Sequence, residues 1–163
     1  MCYAAYLESN RSFSYSRLLK LELEVSINGG KMIKRVDHVA IAVKNLDEAL
    51  KTFENLLGHK AAQVKEVPDQ KIKAAMIHVG DVEIELIQPT DPGTGVAKFL
   101  EGKGEGVHHI CFEVDDVDKE LQAMAAKGVE TIDKKGRPGL AGKIGFLHPK
   151  STKGVLIELA QKV

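Results

Sequence analysis

Four residues of this chain, His38, Glu85, His109 and Glu158, come as two matched pairs of a kind that binds cations. The run Asp37-His38-Val39-Ala40-Ile41-Ala42-Val43-Lys44-Asn45-Leu46-Asp47 returns 71 residues later as His108-His109-Ile110-Cys111-Phe112-Glu113-Val114-Asp115-Asp116-Val117-Asp118. His38 therefore maps to His109, Val43 to Val114 and Leu46 to Val117. Val82–Gln88 returns at an offset of 73 as Val155–Gln161, which maps Glu85 to Glu158. Each histidine opens an apolar run, and each glutamate sits between apolar neighbours. A lone strand histidine or glutamate usually faces solvent. Two copies that each place a His on the first strand and a Glu on the last point instead to a shared divalent cation held by two imidazoles and two carboxylates, because buried unpaired carboxylates are costly. The repeat register selects His109 over His108, and period-two alternation turns His108 to the opposite face of its strand. His59, His78 and His148 have no repeated counterpart and are read as structural or peripheral. Cys111, inside an apolar run with no activating motif, reads as a small core residue.

The elements that must position these residues follow the same repeat. The first half predicts a strand from about Asp37 and then a helix capped by Asn45. Glu48 stands in capping-box position, Leu46, Leu50, Phe53 and Leu57 form the apolar stripe, and Gly58 is the stop. Strands follow at Ala61–Val67, Lys73–Val79 and Val82–Gln88, with turns at Pro68-Asp69 and Gly80-Asp81. The second half predicts a strand through His109, a helix capped by Asp116 and ended by Gly128, and strands at Glu130–Asp133, Ile144–His148 and Val155–Gln161. A short helix at Val96–Leu100 lies in the connection. The expected fold is α+β, with two paired βαβββ modules, 33–90 and 106–163, within a single domain spanning 32–163.

Composition narrows the partners. The 163 residues carry 23 Lys+Arg against 23 Asp+Glu, so no basic field for nucleic acid exists. Aromatics are 5% and Trp is absent, which disfavours base-stacking platforms. No run of about 18 apolar residues suggests a membrane helix. Two cysteines in unrelated contexts fit a reducing, cytoplasmic setting without structural disulfides. Residues 1–31 differ in character from the rest and do not read as a signal peptide. Gly29-Gly30-Lys31-Met32 back-translates to a purine-rich stretch before ATG, so Met32 is the expected natural start and 1–31 an extension with a non-native start. The rival reading is a packed helix or strand at Ser16–Ile27.

DHVAIAV, ELIQP, GVHHICFEVDD, FLHPK and GVLIELAQ together resemble the motifs of the methylmalonyl-CoA epimerases of the glyoxalase, or vicinal-oxygen-chelate, superfamily, over nearly all of 33–161. The resemblance implies a concave mixed sheet formed by the two modules around a divalent metal, commonly cobalt, held by the positions of His38, Glu85, His109 and Glu158, and usually a homodimer. It implies interconversion of (2R)- and (2S)-methylmalonyl-CoA by α-proton abstraction through a metal-stabilised enediolate, with Glu158 both a ligand and the catalytic proton-transfer group. Some relatives carry a second carboxylate on the strand after the Pro-Asp/Glu-Gln turn. Here the matching position is Ala74, and Lys73, Glu66 or a metal-bound water remain open as substitutes. No Gly-rich phosphate loop marks a CoA site. The alternatives within the fold are a glyoxalase I-type lyase or isomerase acting on a thiol adduct and a non-enzymatic small-molecule binding protein. An iron dioxygenase fits less well, because Glu85 adds a fourth ligand.

Overall fold

The structure is a computed structural model that describes residues 33–140 and 142–162. The readings of Met32 as the start and of 1–31 as an extension, or as a packed element at Ser16–Ile27, concern residues outside those described.

Two βαβββ modules follow one another. The first comprises β1 (Arg35–Ala42), α1 (Leu46–Leu57), β2 (Ala61–Val67), β3 (Ile72–Val79) and β4 (Val82–Pro89). After the connecting helix α2 (Gly95–Lys103) come β5 (Gly106–Glu113), α3 (Val117–Ala126), β6 (Arg137–Gly139), β7 (Gly142–Leu147) and β8 (Leu156–Lys162). They form one eight-stranded mixed sheet of order β2-β3-β4-β1-β5-β8-β7-β6. Within each module the first and last strands pair parallel, β1 with β4 and β5 with β8. The modules join through the antiparallel β1–β5 ladder at the centre, so the opening strands that carry the two histidines are neighbours.

Local chemistry explains the helices. The Asn45 carboxamide accepts from the amides of Asp47 and Glu48, and Asp116 does the same for Asp118 and Lys119, which satisfies N–H groups that a helix start leaves orphaned. Gly58 closes α1 in the left-handed region at φ 69°, which a Cβ would disfavour. A second repeated device ties helix to sheet. The Gln88 side chain at the end of β4 accepts from the Leu46 amide at 2.7 Å, and its counterpart Gln161 on β8 accepts from the Val117 amide at 3.3 Å. The glutamines of ELIQ and ELAQ thus fix where each helix starts relative to its module's last strand.

Alternation along the strands separates two layers. Leu86, Ala75 and Ile77 pack with Leu46, Leu50 and Phe53 of α1 on one face. Leu159, Val114 and Leu147 do the same with Val117 and Leu121 of α3. The other face carries Ala40, Ala42, Ala74 and Ile87, partly covered by Val96 and Leu100 of α2. Glu85 and Glu158 belong to this second face, one residue out of phase with Leu86 and Leu159.

One element departs from expectation. Instead of a strand at Glu130–Asp133 there is a single bridge, Thr131 to Leu147, and the edge strand is β6 at Arg137–Gly139. The Asp133 side chain accepts from the Phe146 amide at 2.9 Å and from Arg137 Nε at 3.3 Å. A carboxylate thereby occupies the place of a backbone ladder partner, and the chain swings out before pairing with β7. Pro138 is tolerated because β6 is an edge strand.

Candidate metal centre

The strand register brings the four predicted donors onto two neighbouring rows of the open face. In one row His38 on β1 and Glu158 on β8 both lie opposite Cys111 on β5. In the other, Glu85 on β4 and His109 on β5 both lie opposite Ala40 on β1. Ala40 and Cys111 are equivalent in the repeat, and both are completely buried. The floor between the donors is therefore made of two small side chains, with unlike donors flanking each.

All four donors are buried, at 5–7% exposure. The Nε2 atoms of His38 and His109 stand 3.3 Å apart. Oε2 of Glu158 lies 2.7 Å from His109 Nε2 and 3.8 Å from His38 Nε2. Oε2 of Glu85 lies 3.4 Å from His38 Nε2 and 3.8 Å from His109 Nε2. Donors at about 2.1 Å from one first-row divalent ion stand roughly 3.0–3.4 Å from one another. The ligand atoms of His38, His109 and Glu158 all lie within 4.8 Å of one another, and Glu85 faces the same two ring nitrogens; two nitrogens with carboxylate oxygens are a donor set suited to such an ion. His38, Glu85, His109 and Glu158 would hold it.

The outer nitrogens of both rings are engaged as well. His38 Nδ1 lies 3.1 Å from Asp37 Oδ2, and His109 Nδ1 lies 2.8 Å from His108 Nδ1. Both contacts come from bulges. The β1–β5 ladder passes from Val36 to His38 without pairing Asp37, and on β5 from His109 to Val107 without pairing His108. A bulge lets adjacent side chains point to one side of a strand. This corrects the expectation that alternation sends His108 to the opposite face: His108 and His109 line the same cavity. Asp37 was not singled out by its sequence. The available signal was its position, equivalent to His108 and directly before a repeated histidine.

Electrostatics follow from burial and crowding. Burial pushes Asp37 up, but the hydrogen bonds from His38 and Lys162 prevail and hold it at about 2. Burial pulls His38 down, and the Asp37 hydrogen bond with the charges of Glu85 and Glu158 more than reverses this. Burial raises Glu85, with His38 and His109 opposing. His108 is pulled down to about 4 by burial and then by His109. The Cys111 thiol is raised well above its ordinary range, first by burial and next by Glu158, so it is an inert floor residue.

The donors sit in a cavity of about 1030 Å³. Ile72, Met76, Ile87, Ile144 and Phe146 give it apolar walls, while Lys98, Lys103 and Arg137 border it with positive charge. Glu66 and Lys73, open as substitute bases, pair with each other at 3.1 Å and are not part of the cavity wall. Ala74, at 1% exposure, packs in the apolar cluster under α2. Of the other histidines, His78 pairs with Glu83 at 2.8 Å, and His148 Nδ1 accepts from the Lys150 amide.

Residues 37–147 match the Glyoxalase/Bleomycin resistance protein/Dioxygenase superfamily. The chain is 37% identical over 134 residues to the ethylmalonyl-CoA/methylmalonyl-CoA epimerase of Cereibacter sphaeroides, covering 80% of this chain and 99% of that one. It is 34% identical over 129 residues to the mitochondrial methylmalonyl-CoA epimerase of Homo sapiens, covering 78% of this chain and 73% of that one. Among solved structures, a Streptomyces coelicolor methylmalonyl-CoA epimerase variant in complex with 2-nitronate-propionyl-CoA superposes with a TM-score of 0.77 at 33% identity, covering 80% of this chain and 96% of that one. The sequence match, the paired βαβββ modules and the shared architecture lead to one conclusion: the chain belongs to the glyoxalase/bleomycin resistance protein/dioxygenase superfamily, in the group that contains the methylmalonyl-CoA epimerases.

Proposed function

We propose that the protein is a metal-dependent epimerase that interconverts (2R)- and (2S)-methylmalonyl-CoA, with His38, Glu85, His109 and Glu158 as the metal ligands. The observation that carries this reading is the buried cluster of two imidazoles and two carboxylates on the floor of a cavity with apolar walls and a cationic border. The activities of the relatives point the same way. Modules 33–90 and 106–163 each contribute one His and one Glu, so neither half holds a complete site.

Epimerisation breaks the Cα–H bond between a thioester and a carboxylate, leaves the electron pair delocalised onto the thioester oxygen, and re-forms the bond on the other face. A divalent ion in this site supplies Lewis-acid stabilisation of the negative charge that develops on that oxygen. Glu158 is the group we assign to proton transfer. Its carboxylate is buried and directed into the cavity cluster, where it would act as the base beside the reacting carbon. Met76 and Ile72 line the cavity as apolar groups, and Ala74, where some relatives carry a second carboxylate, has no acid to lend. The returning proton then comes from solvent admitted to the cavity, which makes exchange with solvent part of the reaction. Lys98, Lys103 and Arg137 suit a polyanionic carrier such as CoA. The same reading includes cobalt as the ion and a homodimer, as the family resemblance implies, and a cytoplasmic setting, which rests on the two cysteines in unrelated contexts.

Circular dichroism of a single methylmalonyl-CoA epimer tests this reading. With cobalt-loaded protein the contribution of the α-carbon is lost as the epimers equilibrate, leaving only the signal of the CoA moiety. A constant signal at full metal occupancy would remove the epimerase assignment.

A further inference from the structure

The two bulges place chemically different groups against two equivalent histidines. On β5 the bulged residue is an imidazole, His108, at 2.8 Å from His109 Nδ1. On β1 it is a carboxylate, Asp37, at 3.1 Å from His38 Nδ1 and only 4% exposed. A carboxylate accepts and cannot donate in its ionised form, so it admits one arrangement: His38 carries its hydrogen on Nδ1 and turns the Nε2 lone pair toward the four-donor cluster. An imidazole partner imposes no such choice, because either ring can donate to the other. The two halves thus hold their histidines with unequal strictness.

Asp37 is itself held from the other module. Its Oδ1 lies 2.6 Å from Lys162 Nζ on β8 and 3.1 Å from Arg35 Nη2. Lys162 stands four residues beyond Glu158 on the same strand, so this ion pair spans β5 and links the first module's histidine to the second module's last strand. His38 thus gains a partner whose other oxygen is held by two cations.

We propose that Asp37 is a positioning residue that fixes the tautomer and orientation of His38, and so sets the divalent-ion affinity of the site more strongly than His108 does through His109. This rests on the metal-site reading above. Partners of this kind on a ligating imidazole typically change metal affinity 10–100-fold.

The test is cobalt and zinc affinity by chelator competition, together with the visible absorption of the cobalt-loaded full chain, for wild type, D37A, D37N, K162M and H108A. D37A is expected to weaken binding roughly 10–100-fold and to change the cobalt band envelope. D37N keeps an acceptor oxygen and is expected to recover part of that loss. H108A should weaken binding less than D37A. K162M removes the ion-pair partner but leaves the Asp37–His38 contact, and is expected to stay within about threefold of wild type, well below the loss from removing the ring's own partner. Equal affinities for D37A and wild type would overturn the proposal. Equal losses in D37A, D37N and K162M would also overturn it, since they would mark a merely structural ion pair. A wild-type chain that binds neither ion would instead remove the metal-site reading, and this proposal with it.

Discussion

The Nε2 atoms of His38 and His109 face each other at 3.3 Å, each from a ring whose Nδ1 is already engaged. The Glu85 and Glu158 carboxylates beside these inward nitrogens concentrate negative potential at one point in a buried space. A cation resolves this. In the absence of a metal a proton can take that place, which agrees with His38 being raised despite its burial.

Removing one ring should show which of the adjacent histidines matters. H109A deletes an atom that faces three other donors, and tight divalent-ion binding is expected to be lost. H108A deletes only the partner of His109 Nδ1, and binding is expected to survive with reduced affinity. Metal content after gel filtration of each variant checks this. Loss in H108A with retention in H109A would show that the donor set is misassigned by one residue.

The floor residues make a steric prediction. Ala40 and Cys111 are both fully buried, and each lies between two donors of its row. C111A removes little volume and should leave metal content unchanged, with a stability cost of about 1 kcal/mol. C111L adds bulk directly under His38 and Glu158. It is expected to cost about 1–3 kcal/mol in overpacking and to exclude the metal. Urea unfolding with metal analysis on the same samples separates the two effects.

Stability of the metal-free protein should depend on pH with a definite sign. His38 is raised, so its contribution is fully present below its unfolded value of 6.5 and is lost as pH rises through the folded value. Glu85 is raised by burial, so it destabilises the fold at high pH, and the penalty is relieved as pH falls through its folded value toward 4.5. Asp37 acts oppositely, with a stabilisation of roughly 2 kcal/mol present above 3.8 and lost as pH falls through about 2. Unfolding in EDTA should therefore show greater stability near pH 5.5 than near pH 8.5. E85Q removes a buried charge and is expected to stabilise the metal-free chain at pH 8.5 by about 1–3 kcal/mol while weakening metal binding. An E85Q variant less stable than wild type under those conditions would contradict this account of Glu85.

The parts of the structure visible in sequence were those set by local chemistry or by repetition. Asn45 and Asp116 announce their helices because capping needs only neighbouring amides, and the doubled His and Glu locate the donor cluster because the modules pair through their first strands. Gln88 and Gln161 carried a repeated signal whose meaning needed the fold, since their partners Leu46 and Val117 are distant in sequence. The bulges at Asp37 and His108 were invisible because a bulge is a mismatch between two strands. Alternation along β5 alone therefore gave the wrong face for His108. Glu130–Asp133 failed as a strand for a similar reason: the Asp133 carboxylate occupies the Phe146 amide that a backbone partner would have used.

The most direct test of the central claim follows the α-proton. One epimer of methylmalonyl-CoA is incubated in deuterium oxide with the cobalt-loaded chain, its EDTA-treated form and E158Q, and deuterium at the α-carbon is measured alongside optical purity. The account predicts deuterium incorporation coupled to loss of optical purity in the loaded wild type, and a fall of at least about 100-fold in both rates on metal removal or in E158Q. Fully loaded wild type that neither incorporates deuterium nor loses optical purity would contradict it.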